Sequence, residues 1–217
     1  MSELPEKPRD RYDSSGNPEA EYLDSAHTVL VNKKGIMDLH ALQEAEEEAL
    51  MAAYETLFGE VRMDAPMTCD LLRHIHARIF GNLYAWAGRW RTVWISKPGI
   101  TWPAPDFLEQ NMQAFQRDVL AKYPPAAIGS DDAFCAAVGE IQGEFLVIHP
   151  FREGNARAIK LITDLLAAQT NRPLLVYDRT ELGQERYIRA ATAAFQKEYR
   201  PMTVVIRAAL DRARTDA

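Results

Sequence analysis

The sequence lacks any apolar run long enough to cross a membrane as a helix. It opens on a polar, proline-bearing stretch without the hydrophobic core of a signal peptide. We therefore expect no membrane partner and a cytoplasmic location, with delivery into another cell left open. Cysteine is also scarce. Cys69 and Cys135 lie far apart and match no metal-binding or redox spacing, so they are interpreted as small buried hydrophobes in a reducing compartment.

The sequence also has no excess of basic residues. The formal net charge is -6, and this disfavours a role in coating DNA or RNA, because such a role needs a basic face. No nucleic-acid partner is therefore expected. With no internal repeat and no low-complexity tract, 217 residues that are 47% hydrophobic predict one domain with a substantial core. We place this domain at 26–217, behind a loosely ordered polar leader at 1–25.

Helical periodicity dominates the rest of the chain. Apolar residues recur at helical spacing, and capping residues or prolines mark the predicted starts, with Asp38 and Ser130 as side-chain caps. The predicted helices cover about 38–58, 66–80, 105–121, 130–149, 155–170, 181–195 and a last one from 201. Within the first helix, Glu44–Glu48 is interpreted as a solvated acidic face rather than a contact for a partner protein. The pattern predicts a mostly α fold.

One segment has a different period. Gly88–Ile95 alternates and is rich in aromatic and β-branched residues, Ser96–Gly99 is a turn signal, and Ile100–Trp102 follows as a second short strand. This pattern predicts a small β-hairpin at about 89–103.

The stretch from His149 to Arg157 is rich in chemical groups. It follows one apolar helix, leads into another, and offers a titratable base, a carboxylate, a glycine, an amide and a guanidinium. A helix N-terminus binds anions through its free N–H groups and its dipole, and Gly154 lets a phosphate approach the backbone. Asn155 can cap the helix or bind an oxygen. Arg157 and Lys160 are predicted to share one helical face, where they would neutralise further phosphates.

Two further residues complete a reactive site. Glu153 would repel a bound polyphosphate unless a cation intervened, and Mg²⁺ bridging the carboxylate and the phosphates resolves that conflict. His149 is the candidate base, because the pKa typical of an imidazole suits it to take a proton from an incoming hydroxyl. By contrast, His74 and His76 lie two residues apart, which fits neither one helical face nor an HExxH zinc site, so structural roles are expected for them.

The order of these residues resembles the Fic family signature, His-Pro-Phe-x-Asp/Glu-Gly-Asn-x-Arg-x-x-Arg. Every specified position matches except the last, where this chain has Lys160. The resemblance continues at Asn32–Ile36 and at Tyr84–Arg91, and it covers about 30–200. It implies a mostly helical domain with a hairpin flap and an active-site loop at 149–157.

The resemblance implies a protein adenylyltransferase that uses ATP and Mg²⁺, moves AMP to a Ser, Thr or Tyr hydroxyl of a target protein, and releases pyrophosphate. His149 would be the catalytic base and Glu153 the Mg²⁺ ligand, while Phe151 would anchor the loop. The implied nucleotide-binding residues are Gly154, Asn155, Ala156, Arg157 and Lys160. The implied flap, which would pair with the target segment by strand addition, comprises Ile95, Ser96, Lys97, Pro98, Gly99 and Ile100.

Two departures from the family pattern leave alternatives open. Ala156 stands where a glycine is usual, which should be tolerated unless its φ is positive. Lys160 keeps the charge of the family's second arginine but loses its bidentate fork. The alternatives are a transferase with another donor (UMP, phosphocholine or phosphate), or a degenerate module that binds nucleotide or a partner without turnover.

An inhibitory segment of the family pattern Ser/Thr-x-x-x-Glu-Gly/Asn is not found. The stretch from Thr56 to Glu60 fails because Val61 follows it. The resemblance therefore favours the toxin-like subclass, in which a separate small antitoxin protein supplies the inhibitory helix.

Overall fold

The structure is a computed structural model that describes residues 16–215, so residues 1–15 of the predicted leader lie outside the described part. Its regular structure within that range consists of seven α-helices, four short 3₁₀ helices and one two-stranded hairpin, which confirms the mostly α prediction. The elements are α1 (Leu39–Glu60), α2 (Cys69–Phe80), β1 (Ser96–Lys97), β2 (Ile100–Thr101), α3 (Leu108–Asp118), α4 (Asp131–Ile148), α5 (Asn155–Gln169), α6 (Glu181–Ala193) and α7 (Arg200–Thr215). Between residues 16 and 215, no helix is both long and apolar enough to span a membrane.

Side-chain caps fix several helix starts. The Asp38 carboxylate accepts a hydrogen bond from the backbone N–H of Ala41 at 2.8 Å, and the Ser130 hydroxyl accepts one from Ala133 at 3.2 Å. These bonds satisfy N–H groups that have no partner inside the helix. Both predicted caps are confirmed.

The core is built around α4, which contacts α3, α5, α6 and α7. The predicted apolar stripe of α4 is confirmed, and its buried members are Phe134, Val138, Ile141, Phe145 and Ile148. The facing side of α7 contributes Met202, Ile206 and Leu210. Most residues of α4 are buried, and the next loop projects from the end of this central helix.

The hairpin has fewer residues than predicted and begins further along the chain. Ser96 pairs with Thr101 and Lys97 with Ile100, with Pro98 and Gly99 at the turn. The prediction of a strand over Gly88–Ile95 is wrong, because the chain there is anchored to other segments. The backbone N–H of Arg91 donates to the Pro150 carbonyl at 2.8 Å, and that of Thr92 donates to the Glu19 carboxylate at 2.7 Å.

Gly139 offers a test of how tightly α4 packs on α7. An added Cβ would lie 2.6 Å from Oγ1 and 2.9 Å from the backbone N of Thr203. We expect Gly139→Ala to lower the free energy of unfolding by about 1–3 kcal/mol, because overpacking forces the two helices apart. Urea unfolding measures the change.

Gly59 in α1 is the matched control, since a Cβ there meets no atom within 4 Å. Gly59→Ala should leave the free energy of unfolding unchanged or raise it by up to about 1 kcal/mol, because alanine favours helix. An equal loss at both positions would contradict the packing account.

Candidate active site

The candidate site is built on the loop 149–154, which joins α4 to α5 and has a left-handed residue at each end. Pro150 cannot continue α4, so the helix ends with His149 at φ 51° and ψ 59°. Gly154 precedes α5 with φ 76°. These two left-handed residues reverse the chain between two buried helices.

Gly154 cannot be replaced without displacing the Phe80 ring at the end of α2. A Cβ at this position would lie 2.2 Å from Cε2 of Phe80, and the positive φ adds strain for any other residue. The backbone N–H of Gly154 donates to Oε1 of Glu153 at 2.8 Å. The rest of the Glu153 carboxylate faces outward, since its side chain is 49% exposed.

Phe151 fastens the loop to the core. It is fully buried, and its ring stacks on His76 with centroids 3.8 Å apart and the planes 16° from parallel. Trp90 and Phe145 pack against other sides of the same ring, at 5.0 Å and 6.1 Å. The loop therefore cannot swing away without exposing a large aromatic side chain.

His76 also supports the loop through a hydrogen bond. Its Nδ1 accepts a hydrogen bond from the Gly88 N–H at 2.8 Å, so Nε2 carries the proton and donates to the Glu153 carbonyl at 3.0 Å. Burial lowers the pKa of His76 to about 3, which keeps the ring neutral at neutral pH. The structural role expected for His76 thus includes a direct bond to the candidate site, which the residue spacing did not indicate.

Asn155 holds the loop from the inside. Its Oδ1 accepts from the Phe151 N–H at 2.9 Å, and its Nδ2 donates to the Phe151 carbonyl at 2.8 Å. The residue is buried, so the structure directs its amide at the loop backbone and not at the open side of the loop.

Arg91 is a supporting residue that the sequence patterns did not single out. It is buried, and it donates to the carbonyls of His149, Val93 and Pro103 at 2.9, 2.7 and 2.6 Å. Burial lowers its pKa to about 10, so the guanidinium stays charged at neutral pH. One side chain thereby ties both sides of the hairpin base to the loop.

The environment of His149 keeps its imidazole neutral. Burial lowers its pKa to about 4, although the Leu146 carbonyl and the negative charge of Glu153 oppose that shift. Trp102 packs on the ring with centroids 4.4 Å apart, and the Trp102 Nε1–H donates to the Leu146 carbonyl at 2.9 Å. Nδ1 of His149 is buried without a hydrogen-bond partner of good geometry within residues 16–215. A proton on Nδ1 would leave Nε2 as the accepting nitrogen.

The hairpin lies beside this histidine. Trp102 follows β2 directly, and its backbone N–H donates to the Ile95 carbonyl at 3.3 Å. The residues of the turn and of β1 are exposed, and Gly99 has φ 80°. A short exposed hairpin next to a neutral imidazole presents unpaired backbone groups close to the candidate base.

Arg157 lies against α1. Its Nη1 donates to Glu46 Oε2 at 2.7 Å, its Nη2 lies 3.4 Å from Glu153 Oε1, and its Cζ lies 4.7 Å from the centre of the Phe80 ring. The interpretation of the acidic run as a solvated face is therefore wrong for Glu46, which is buried. Its neighbours at 44, 47 and 48 are exposed. The sequence feature that indicates burial of Glu46 is its helical spacing, because it lies on the same stripe of α1 as the buried residues Leu42, Ala53 and Leu57.

The Lys160 side chain lies on a different side of α5 from Arg157. Its Nζ lies 4.2 Å and 4.3 Å from the ring centres of Tyr177 and Tyr187, and burial lowers its pKa to about 8. The expectation that Arg157 and Lys160 share one phosphate-facing surface is wrong. Although they are three residues apart, the partners of each side chain come from distant segments.

The motif residues line two cavities. One of about 520 Å³ lies between α1 and the loop and includes Glu46, Glu153 and Arg157. The other, of about 280 Å³, lies beside α6 and includes Ala156, Lys160 and Tyr187. The carboxylate and cationic groups of the motif thus line cavities beside the first turns of α5, whereas His149 lines neither of these two cavities.

Comparison with known proteins agrees with this geometry. A model of the Fic/DOC family matches residues 66–167. The chain is 27% identical over 179 residues to a probable protein adenylyltransferase, y4lH of Sinorhizobium fredii, a match that covers 82% of this chain and 90% of the relative.

Two solved structures share the fold. The FIC domain of Bep8 from Bartonella sp. 1-1C superposes with a TM-score of 0.73 at 20% identity, covering 87% of this chain and 94% of that one. BepC of Bartonella tribocorum, solved with bound AMPPNP, superposes with a TM-score of 0.69 at 19% identity, covering 89% and 97%.

The clamp between Asn155 and Phe151 can be tested by mutation. Asn155→Ala leaves a buried N–H and a buried carbonyl unpaired, so we expect a loss of about 2–4 kcal/mol in the free energy of unfolding. Asn155→Asp keeps the acceptor but loses the donor, and an intermediate loss is expected. Asn111→Ala in α3 is the control in the same urea titration. Equal effects of Asn155→Ala and Asn111→Ala would refute the clamp.

Proposed function

We propose that the chain is a member of the Fic/DOC family, whose model matches residues 66–167, and that it is a protein adenylyltransferase that transfers AMP from ATP to a Ser, Thr or Tyr hydroxyl of a target protein. The observation that carries the proposal is the loop 149–154, which places a neutral imidazole and the N-terminus of α5 on one short turn. The AMPPNP bound to BepC, which shares the fold, supports a nucleotide as substrate.

His149 is the proposed catalytic base. A target hydroxyl approaches Nε2, and its oxygen attacks the α-phosphorus as the proton passes to the imidazole. The bond from the α-phosphorus to the oxygen that bridges to the β-phosphate breaks, and pyrophosphate leaves. Because burial keeps His149 neutral, the ring can accept the proton without first losing one.

The phosphates are proposed to bind at the N-terminus of α5. The first N–H groups of a helix have no intrahelical partners, and its dipole favours an anion. Gly154 allows the left-handed turn that leads into α5, and the N–H groups of Asn155 and Ala156 follow it in the first turn. The Asn155 side chain contributes by fixing the loop, while Arg157 supplies the positive charge on the side of the larger cavity.

Glu153 is the proposed Mg²⁺ ligand. Within residues 16–215, no group of three or more His, Cys, Asp or Glu could hold a metal alone. Mg²⁺ in phosphate-transfer sites usually has one or two protein carboxylates, with water and substrate phosphates as its other ligands. A single, half-exposed carboxylate beside Arg157 fits that pattern. When bound, the ion would neutralise charge on the phosphates.

The exposed hairpin of Ile95–Ile100 is the proposed target-binding flap. A target segment that added a strand to it would have its hydroxyl beside His149, because Trp102 joins β2 to that ring. The identity of the target would then depend on main-chain pairing and on side chains at the flap.

The second candidate function is the transfer of a group from a donor other than ATP, and the position of Lys160 supports this alternative. Its ammonium lies against two tyrosine rings in the smaller cavity, away from Arg157, so the contacts at this end of the site differ from those of an arginine fork. Each donor can be offered in turn and the mass of the modified target measured. This mass distinguishes AMP transfer from the transfer of UMP, phosphocholine or phosphate, and from binding without turnover.

A small antitoxin that inserts an inhibitory helix is also part of the proposal. The cavity of about 520 Å³ beside α1 lies open next to Arg157 and Glu153, which supports such a partner. A cytoplasmic location stays a prediction.

Replacement of the base tests the mechanism. We expect His149→Ala to reduce transfer of label from ATP labelled at the α-phosphate by about 100-fold or more, because general-base catalysis contributes about 10²–10⁴-fold. His74→Ala, on the exposed side of α2, should keep full activity, and thermal unfolding should show both variants folded. Undiminished labelling by folded His149→Ala would rule out this base.

The pH profile gives a second test. Below its pKa of about 4 His149 is protonated and cannot accept the hydroxyl proton, while above it the base is available. We therefore expect kcat/KM to fall only near pH 4, and to show no step at the ordinary histidine pKa of about 6.5. Initial rates at low ATP, with tryptophan fluorescence as a check on folding, measure the profile. A half-maximal rate at about pH 6.5 would contradict the buried environment assigned to this ring.

A further inference from the structure

Arg157 is held on three sides by other side chains of the protein. Glu46 accepts from Nη1 at 2.7 Å, the Phe80 ring lies under the guanidinium at 4.7 Å, and Glu153 lies 3.4 Å from Nη2. The close bond uses Nη1 alone, so the remaining N–H groups stay available on the side of Glu153 and of the larger cavity.

Glu46 is itself fixed. It is buried on α1, and each of its carboxylate oxygens has a partner, since the Tyr84 hydroxyl donates to Oε1 while Arg157 donates to Oε2. Burial raises the pKa of Tyr84 above its ordinary value, and the bond to Glu46 adds to the shift, so the hydroxyl remains a donor. Tyr84 stacks on Trp86 with ring centroids 4.4 Å apart, which immobilises it.

We infer that Glu46, held by Tyr84, is a positioning residue that aims Arg157 at the phosphates; the inference rests on the proposed function. Glu46 touches neither the loop backbone nor Glu153 among its hydrogen bonds within residues 16–215. It acts through the guanidinium, whose direction it sets.

The opposite reading is that Glu46 competes with the nucleotide and must be displaced. Burial argues against it. Pulling Arg157 off Glu46 would leave a buried carboxylate with no cation, which is strongly unfavourable. The geometry also makes displacement unnecessary, because Arg157 has five N–H donors and the 2.7 Å bond to Glu46 uses one.

The two readings predict opposite changes in nucleotide affinity. Removing a negative charge near an anion site tightens binding if charge alone matters or if Glu46 competes. Loss of an aiming contact weakens binding, because Arg157 must then be ordered by the ligand itself. Glu46→Gln removes the charge with almost no change in shape and keeps an acceptor for Tyr84.

The experiment measures binding of AMPPNP with Mg²⁺ to the full chain by calorimetry. Wild type is compared with Glu46→Gln, Arg157→Ala and the double variant, and with Glu48→Gln, an exposed residue of the same helix, as control. We expect Glu46→Gln to raise the Kd about tenfold, Glu48→Gln to leave it unchanged, and Glu46→Gln to have no further effect in the Arg157→Ala background.

Tyr84→Phe provides an independent variant should Glu46→Gln fold poorly by thermal unfolding. It removes only the hydroxyl that holds Glu46, and a smaller increase in Kd in the same direction is expected. Tighter or unchanged binding by folded Glu46→Gln, or an equal effect of Glu46→Gln with and without Arg157, overturns the inference.

The same series separates this inference from the proposed function. If the wild type binds no AMPPNP, the proposed function fails and the role of Glu46 fails with it. If the wild type binds, and Arg157→Ala weakens binding but Glu46→Gln does not, only the positioning role is lost.

Discussion

The burial of Phe151 against His76 is the contact on which the rest of the site depends. The loop that carries His149 has a left-handed residue at each end, so its path is set by very few backbone angles. Stacking at 3.8 Å fixes the middle of that path, and the two bonds from Asn155 fix the backbone of Phe151 itself. The N-terminus of α5 then opens in one defined direction, which an anion site requires.

Charged groups around the loop are also held in place by other residues of the protein. Arg91 uses three carbonyls to hold the base of the hairpin, and Arg157 lies between Glu46 and Phe80. Fixed charges and dipoles stabilise a transition state without having to reorganise during the reaction, which is how phosphoryl-group transfer is mainly catalysed. A neutral His149 belongs to the same arrangement, since its burial costs little only while it carries no charge.

The sequence predicted what local chemistry determines. Caps such as Asp38 and Ser130 lie beside the N–H groups they satisfy, so helix starts were predictable. The extent of the hairpin was not, because Arg91 is drawn to a loop some 58 positions away. Glu46 looked like part of a solvated run, and only the partners Tyr84 and Arg157, both distant in sequence, explain its burial.

The mass of the modified residue is the most direct test of AMP attachment to a protein hydroxyl by this chain. A cell extract is incubated with the chain, Mg²⁺ and ATP, and peptides are compared with those from an extract treated with His149→Ala. We expect a Ser, Thr or Tyr to gain about 329 Da, the mass added by AMP, only with the wild type. A gain of about 80 Da, the mass of a phosphate, or no gain at all would contradict this expectation.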